Sequence, residues 1–281
     1  MKIIVAGYNG MLASELHDLK SQSSEYIFLS KEEFDITNLI SIEKFLNFNQ
    51  VNVIINCAAY TAVDDCEANF NEAISVNEQG VKNLVLICNK FNIKLIHIST
   101  DYVFDGTKKL YKIYDKCNPI NNYGKSKLGG EQIILNSNIE SIIIRTSWLY
   151  SNFGKNFVKT MIYLMKDKKE LKVVDDQIGR PTNAKDLAKF IVDLIELNYF
   201  DLFKLNKIVH FSNDGSCSWY EFSKEIKKIK GYKTRIHPVK SIDFPTTASR
   251  PKFSILDLSE TKSIYSEIKN WKLSLNQMLK I

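Results

Sequence analysis

Four stretches of this chain are apolar at almost every position: "KIIVA" (2–6), "VNVIINCAA" (51–59), "IKLIHIST" (93–100) and "SIIIRTSWLY" (141–150). A strand with one wet face alternates apolar and polar residues, whereas an unbroken Ile/Val run has both faces covered. Segments with helical spacing separate these runs, at about 10–21, 35–48, 70–90 and 123–137, and "YIFLS" (26–30) reads as one more strand. Within 35–48, Thr37 or Asn38 is placed to cap the helix. Buried strands alternating with helices specify a parallel sheet covered on both sides, an α/β doubly wound fold.

In such sheets ligands sit beyond the carboxyl ends of the strands. Gly7, Ala58, Ala59, Thr100 and Thr146 stand at those ends. From about residue 151 the pattern changes to a helix ("GKNFVKTMIYLMKDKKE"), then strand, loop and helix twice over, then a proline-containing loop, "HPVKSIDFPTTASRPKFSILD". The expected division is a Rossmann-like dinucleotide-binding domain over 1–150 and a smaller, mainly substrate-binding lobe over 151–281. The boundary is discontinuous, with part of 151–210 returning to the first domain.

Composition narrows the class. The 281 residues are 44% hydrophobic and 25% charged, enough to bury a core without staples. The net charge of +6 is spread along the chain. A run such as "KEIKKIKG" (224–231) reads as the solvated face of a helix, so no nucleic-acid partner is expected, while an anionic small substrate would be favoured. Five cysteines with no CxxC pair, two of them in apolar runs, read as reduced thiols. The four histidines form no ligand pattern, and His97, inside a strand, reads as a packed core residue. No apolar run is long enough for a membrane span. The opening "MKIIVAG" is already a strand, which leaves no room for a signal peptide. A cytoplasmic protein is expected.

Three motifs carry chemistry. "GYNGMLA" (7–13) follows the first strand and precedes a helix: Gly7 suits a tight turn, and Gly10 lets backbone approach a pyrophosphate at the helix N-terminus. Ala13 stands where a third glycine is usual. At the tip of the second strand, "FLSKEEFDI" offers Ser30 and Lys31, which suit a ribose 2′-phosphate and favour NADPH, with NADH as the alternative; Asp35 and Ile36 would flank the adenine. "YGKSK" puts Tyr123 and Lys127 at i and i+4, on one helix face. An ammonium beside a phenol makes it a better proton donor or acceptor near neutral pH. With the hydroxyl of Thr100 at the fourth strand's end, these spacings are those of a short-chain dehydrogenase/reductase. Thr100, Tyr123 and Lys127 form the expected catalytic set.

Beyond that superfamily, "NCAAYTAVDDCE" (56–67), "STDYVFDG" (99–106), "NNYGKSKLGGE" (121–131), "IIRTSWLY" (143–150), "NFVKTM" (156–161), "VVDDQIGRPT" (173–182) and "SRPKFSILD" (249–257) resemble the dTDP-4-dehydrorhamnose reductases over nearly the whole chain. The resemblance implies NADPH-dependent reduction of the 4-keto group of dTDP-4-dehydro-L-rhamnose, by a monomer or homodimer. It implies cofactor roles for Gly7, Gly10, Met11, Leu12, Ala59, Tyr60 and Thr61, and catalytic roles for Thr100, Tyr123 and Lys127. Asp101 is implied beside the sugar and Trp148 against the substrate, with Val63, Asn156, Gln177 and Arg250 as further substrate candidates. Arg250 suits a diphosphate through paired charge-assisted bonds. Some relatives hold Mg²⁺ through interface glutamates; here Glu15 matches one position, but a single glutamate makes no metal site, and an exposed helix residue is expected. Two alternatives resemble the same pattern: a reductase of another 4-keto-6-deoxy sugar nucleotide, and the non-catalytic regulatory subunit of methionine adenosyltransferase.

Overall fold

The computed structural model describes residues 1–197, 200 and 207–280. Its first half alternates as the apolar runs dictate: β1 (Lys2–Ala6), α1 (Met11–Leu19), β2 (Glu25–Leu29), α2 (Leu39–Asn47), β3 (Val53–Asn56), then α3 (Asp65–Ala68), α4 (Phe70–Ile74) and α5 (Gly80–Phe91), followed by β4 (Lys94–Thr100), α6 (Asn122–Leu135) and β5 (Ser141–Thr146). The second half holds β6 (Leu149–Tyr150), α7 (Phe157–Asp167), β7 (Glu170–Val174), β8 (Ile178–Gly179), β9 (Thr182–Asn183), α8 (Ala184–Glu196), β10 (Lys207–His210), β11 (Cys217–Ser218), α9 (Trp219–Lys230), β12 (Arg235–Val239), α10 (Ser259–Ile264) and α11 (Trp271–Leu279).

Six parallel strands form the central sheet in the order β10-β5-β4-β3-β1-β2. The unbroken runs now have a cause. Successive side chains of a strand point to opposite faces, so Ile3, Val5, Val53, Ile55, Ile142 and Ile144 enter one core with α1 and α8. Ile4, Ala6, Ile54 and Ile143 enter the other, with α2, α5 and α6. The strand order reverses between β1 and β3, and a crevice opens there at their carboxyl ends.

Asn38 caps α2, accepting from the Ser41 amide at 3.0 Å, while Thr37 is tied to Asp35. The segment expected to be helical over 70–90 contains a π-turn at Ser75–Gln79 between α4 and α5. That bulge brings the Asn77 carbonyl against α6, where a Cβ on Gly130 would lie 2.3 Å from it. This explains a glycine pair inside a helix: only a bare backbone lets the two elements touch.

The apolar run 141–150 is not one strand. It ends at Thr146, and Trp148 takes φ +47° before β6 resumes. From there chain leaves the sheet to form a second core of Val158, Met161, Phe222, Ile226, Trp271 and Leu275 among others, under the β7–β12 and β8–β11 pairs. Helix α8 and strand β10 return to the first layer and sheet. The lysine run on α9 follows a Ser218/Glu221 capping box and ends at Gly231; Ile226 faces inward and the lysines lie towards solvent and the negative end of the helix. No helix among the described residues is long and apolar enough to cross a membrane.

Candidate active site

The crevice is a cavity of about 590 Å³ running from the β1–α1 turn to the ends of β4 and β5. Gly7 starts it, at φ +87°; a Cβ there would lie 2.6 Å from the Ala58 nitrogen, so the turn and its contact with the end of β3 both require glycine. Gly10 is the N-cap of α1 and supplies no side-chain cap, which leaves the first amides of the helix without a side-chain partner where Gly10, Met11 and Leu12 line the cavity. Such unsatisfied amides at a positive helix end suit a pyrophosphate. Met11, Leu12, Lys31, Asp35, Ile36, Ala59, Tyr60 and Thr61 also line the wall.

Two asparagines shape that wall. The buried Asn77 amide accepts from the Tyr60 N–H (2.9 Å) and donates to the Tyr60 carbonyl (3.0 Å) and to Ser126 Oγ (3.0 Å). Asn83 donates to the Ile36 carbonyl at 2.9 Å. Asp35 spends one carboxylate oxygen on the backbone and hydroxyl of Thr37. Ser30 does not line the cavity; its backbone N–H donates to Glu33.

At the other end Thr100, Asp101, Tyr123, Lys127 and Trp148 share the cavity. Thr100 closes β4; its hydroxyl accepts from the Tyr102 amide, donates to Asp101 at 3.1 Å and meets the Tyr123 phenol. Burial raises the Tyr123 phenol well above its ordinary range, against the Thr100 hydrogen bond, so it carries its proton. Burial likewise pushes Asp101 up to about 7, opposed by the hydroxyls of Ser254 and Thr100. The Lys127 amino group donates to the Ile98 carbonyl at 2.7 Å and lies 3.3 Å from His97 Nε2; burial lowers it to about 8, against Glu131 and Cys57. His97 is fully buried, as a core residue should be, yet its ring reaches the lysine.

Trp148 stacks on Trp219 at 3.5 Å and 7°, and Phe157 packs on Trp219 at 4.5 Å. Trp219 belongs to α9, so the second core holds the tryptophan that faces the cavity in its left-handed conformation.

Val63, Asn156, Gln177 and Arg250 stand outside the cavity wall. Asn156 caps α7 and donates to the Ser151 carbonyl at 2.7 Å. Gln177 donates to Ser241 Oγ at 3.0 Å. Arg250 grips Asp64, next to Val63, through two bonds of 2.7 and 3.1 Å, which hold the Asp64 carboxyl below its usual range. The expectation for Glu15 was wrong: it is 6% exposed and accepts from Ser151 Oγ at 2.6 Å. Chain from beyond β6 covers it, which the pattern of α1 alone does not reveal.

Trp219, Asn77 and the Asn56–His97 pair belong to none of the sequence motifs that mark the site. Only the capping box around Trp219 left a local sign, and it marks a helix start rather than a site.

The RmlD substrate binding domain family matches residues 1–281. The dTDP-4-dehydrorhamnose reductase of Aggregatibacter actinomycetemcomitans is 36% identical over 287 residues, covering 99% of this chain and 98% of that protein. The crystal structure of a dTDP-4-dehydrorhamnose reductase from Clostridium acetobutylicum superposes with TM-score 0.94 at 40% identity, covering 100% and 99% of the two chains. The Bacillus anthracis dTDP-4-dehydrorhamnose reductase in complex with NADP gives TM-score 0.94 at 36% identity, covering 99% and 98%. A glycine turn opening onto an uncapped helix, a Thr-Tyr-Lys cluster at the far end of one cavity, and likeness over the full length agree: this chain belongs to the dTDP-4-dehydrorhamnose reductase family.

Proposed function

We propose that this protein uses NADPH to reduce the 4-keto group of dTDP-4-dehydro-L-rhamnose, giving dTDP-L-rhamnose, the last step of dTDP-rhamnose synthesis, in the cytoplasm. The observation that carries the reading is the meeting of Thr100, Tyr123 and Lys127 in the cavity that begins at Gly7.

The glycine turn and α1 amides would hold the pyrophosphate of the cofactor, with Lys31 at its ribose phosphate. When bound, NADPH supplies the hydride. Thr100 orients the sugar carbonyl oxygen and donates to it as negative charge develops. Tyr123, a phenol because it is buried, gives its proton to that oxygen as the new C–H bond forms. Lys127 would hold the nicotinamide ribose, and its positive charge would stabilise the phenolate left when Tyr123 gives up its proton. Trp148, backed by Trp219, closes the sugar end. The second core, with α7, α9 and α11, serves as the substrate lobe.

The test supplies NADPH and dTDP-4-dehydro-L-rhamnose and identifies the product by NMR. Formation of dTDP-L-rhamnose supports the reading. NADPH binding without turnover, or faster turnover of a different 4-keto-6-deoxy sugar nucleotide, contradicts it.

A further inference from the structure

The Thr100 hydroxyl has one hydrogen and three polar neighbours. Its oxygen accepts from the Tyr102 N–H at 3.2 Å, lies 3.1 Å from Asp101 Oδ1 and meets the Tyr123 phenol. A hydroxyl offers two lone pairs and one hydrogen, and the Tyr102 amide fills one lone pair. The hydrogen and the second lone pair are left for Asp101 and for the cavity side. A carboxylate at Asp101 only accepts, so it takes the Thr100 hydrogen. The open lone pair then draws the Tyr123 hydrogen, and neither hydrogen points into the cavity. An acid at Asp101 instead donates into that lone pair. Both lone pairs are then filled, so the Thr100 hydrogen turns to the cavity side and the Tyr123 hydrogen finds no acceptor on Thr100.

Burial favours the acid. Asp101 is 2% exposed, and its Oδ2 is buried with no hydrogen-bond partner among the described residues. The groups that act on the carboxyl are the Ser254 and Thr100 hydroxyls and its own backbone N–H, with no cation among the described residues. A buried carboxylate with an unmet oxygen and no counter-charge is unfavourable; a neutral acid avoids that penalty. The titratable groups around it leave this unchanged. Tyr102 and Tyr123, both raised by burial, are phenols. Arg250 reaches Tyr102 but is held by Asp64. Cys66, against Tyr123, is a thiol pushed up to about 11. Lys127, one turn along α6 from Tyr123, donates to the Ile98 carbonyl.

We infer that Asp101, in its acid form, is a positioning residue that aims the hydroxyl hydrogens of Thr100 and Tyr123 into the cavity. Asp101 keeps its own proton, and no proton passes along the line; only the direction of three hydrogen bonds is set. Burial pushes its pKa up to about 7, so the aim holds below that pH and reverses above it. The inference rests on the reductase reading only for what receives the two hydrogens, the oxygen of the sugar carbonyl.

The first part of the test uses the free protein and does not depend on turnover. Aspartate labelled at Cγ and tyrosine labelled at Cζ are followed by NMR against pH, with the two signals assigned by their loss in Asp101→Asn and Tyr123→Phe. The Asp101 signal is expected to titrate at about 7, against 3.8 for an ordinary aspartate, and the Tyr123 signal to shift with the same midpoint. In Asp101→Asn, whose amide N–H donates to Thr100 at every pH, that Tyr123 shift should vanish. The second part measures kcat/KM for the sugar nucleotide at saturating NADPH. From pH 6 to pH 7.5 the wild-type value should fall about four- to fivefold, as a group with a midpoint of about 7 loses its proton. In Asp101→Asn the fall should shrink below about 1.5-fold, the part left to Lys127 with its midpoint of about 8. If every aspartate of the wild type is charged by pH 6, the inference is overturned, whether or not the variants fold. An undiminished pH fall in Asp101→Asn overturns it too. A wild-type protein that titrates as expected but reduces no 4-keto sugar contradicts the reductase reading and leaves the inference standing.

Discussion

Asn77→Ala tests how the π-turn shapes the cofactor wall. The Asn77 side chain is 1% exposed and makes three hydrogen bonds, of 2.9, 3.0 and 3.0 Å, to both backbone groups of Tyr60 and to Ser126. A buried hydrogen bond contributes about 1 kcal/mol net, and an unmet partner costs somewhat more. A water entering the vacated space would find polar neighbours and recover part of this. The expected loss is about 2–4 kcal/mol, a fall in melting temperature of roughly 5 to 10 °C. Binding should suffer as well, because Tyr60 lines the cavity and the cofactor must then order its loop; NADPH affinity should drop about tenfold, or about 1.4 kcal/mol. Urea unfolding followed by tryptophan fluorescence gives the first quantity, and NADPH titration the second. A variant with the wild-type midpoint and wild-type affinity would refute the claim that this amide holds the wall in place.

Three further outcomes follow from the geometry. Trp219→Ala removes the ring stacked on Trp148, a pair worth roughly 0.5–1.5 kcal/mol, and should raise KM for the sugar nucleotide about three- to tenfold with a smaller change in kcat; an unaltered KM contradicts the backing role. Gly7→Ala places a Cβ 2.6 Å from Ala58 N at φ +87° and should cost at least about 2 kcal/mol, read by urea unfolding with loss of NADPH binding; full stability would show that the turn tolerates a side chain. Asp101, with its pKa raised from 3.8 to about 7, binds more protons folded than unfolded across that window, so its contribution falls as pH rises through it, by up to about 4 kcal/mol. His97 and His210, both lowered by burial, slope the other way at the acid end. The Asp101 effect is therefore the difference between wild type and Asp101→Asn in urea series at several pH values, and parallel curves would remove it.

How much of this was written in the chain depends on the range of the interactions. The sheet was legible because each strand's burial on both faces is recorded in its own residues, as in Ile3-Ile4-Val5. The glycine turn and the Tyr123/Lys127 pair were legible because both are local geometries, a turn and one helix face. The break at Trp148 was not: the left-handed tryptophan is met by Trp219, Gly179 and Thr182, all far along the chain. Glu15 misled for the same reason, since Ser151 arrives from beyond β6. Arg250 suits a diphosphate by chemistry, but its guanidinium is held by Asp64, a pairing that only the folded loops disclose. His97 read as core, and it is core; that its second nitrogen faces a lysine depends on the register of β4 against α6.

The most direct test of the account is the effect of Tyr123→Phe on NADPH-dependent reduction of dTDP-4-dehydro-L-rhamnose, with NADPH binding measured on the same preparation. The variant keeps the ring and its edge contact with Tyr102 and loses only the proton donor. The account predicts a fall in kcat of about 10²–10⁴-fold with NADPH affinity close to wild type. A variant that turns over at the wild-type rate would contradict the central claim.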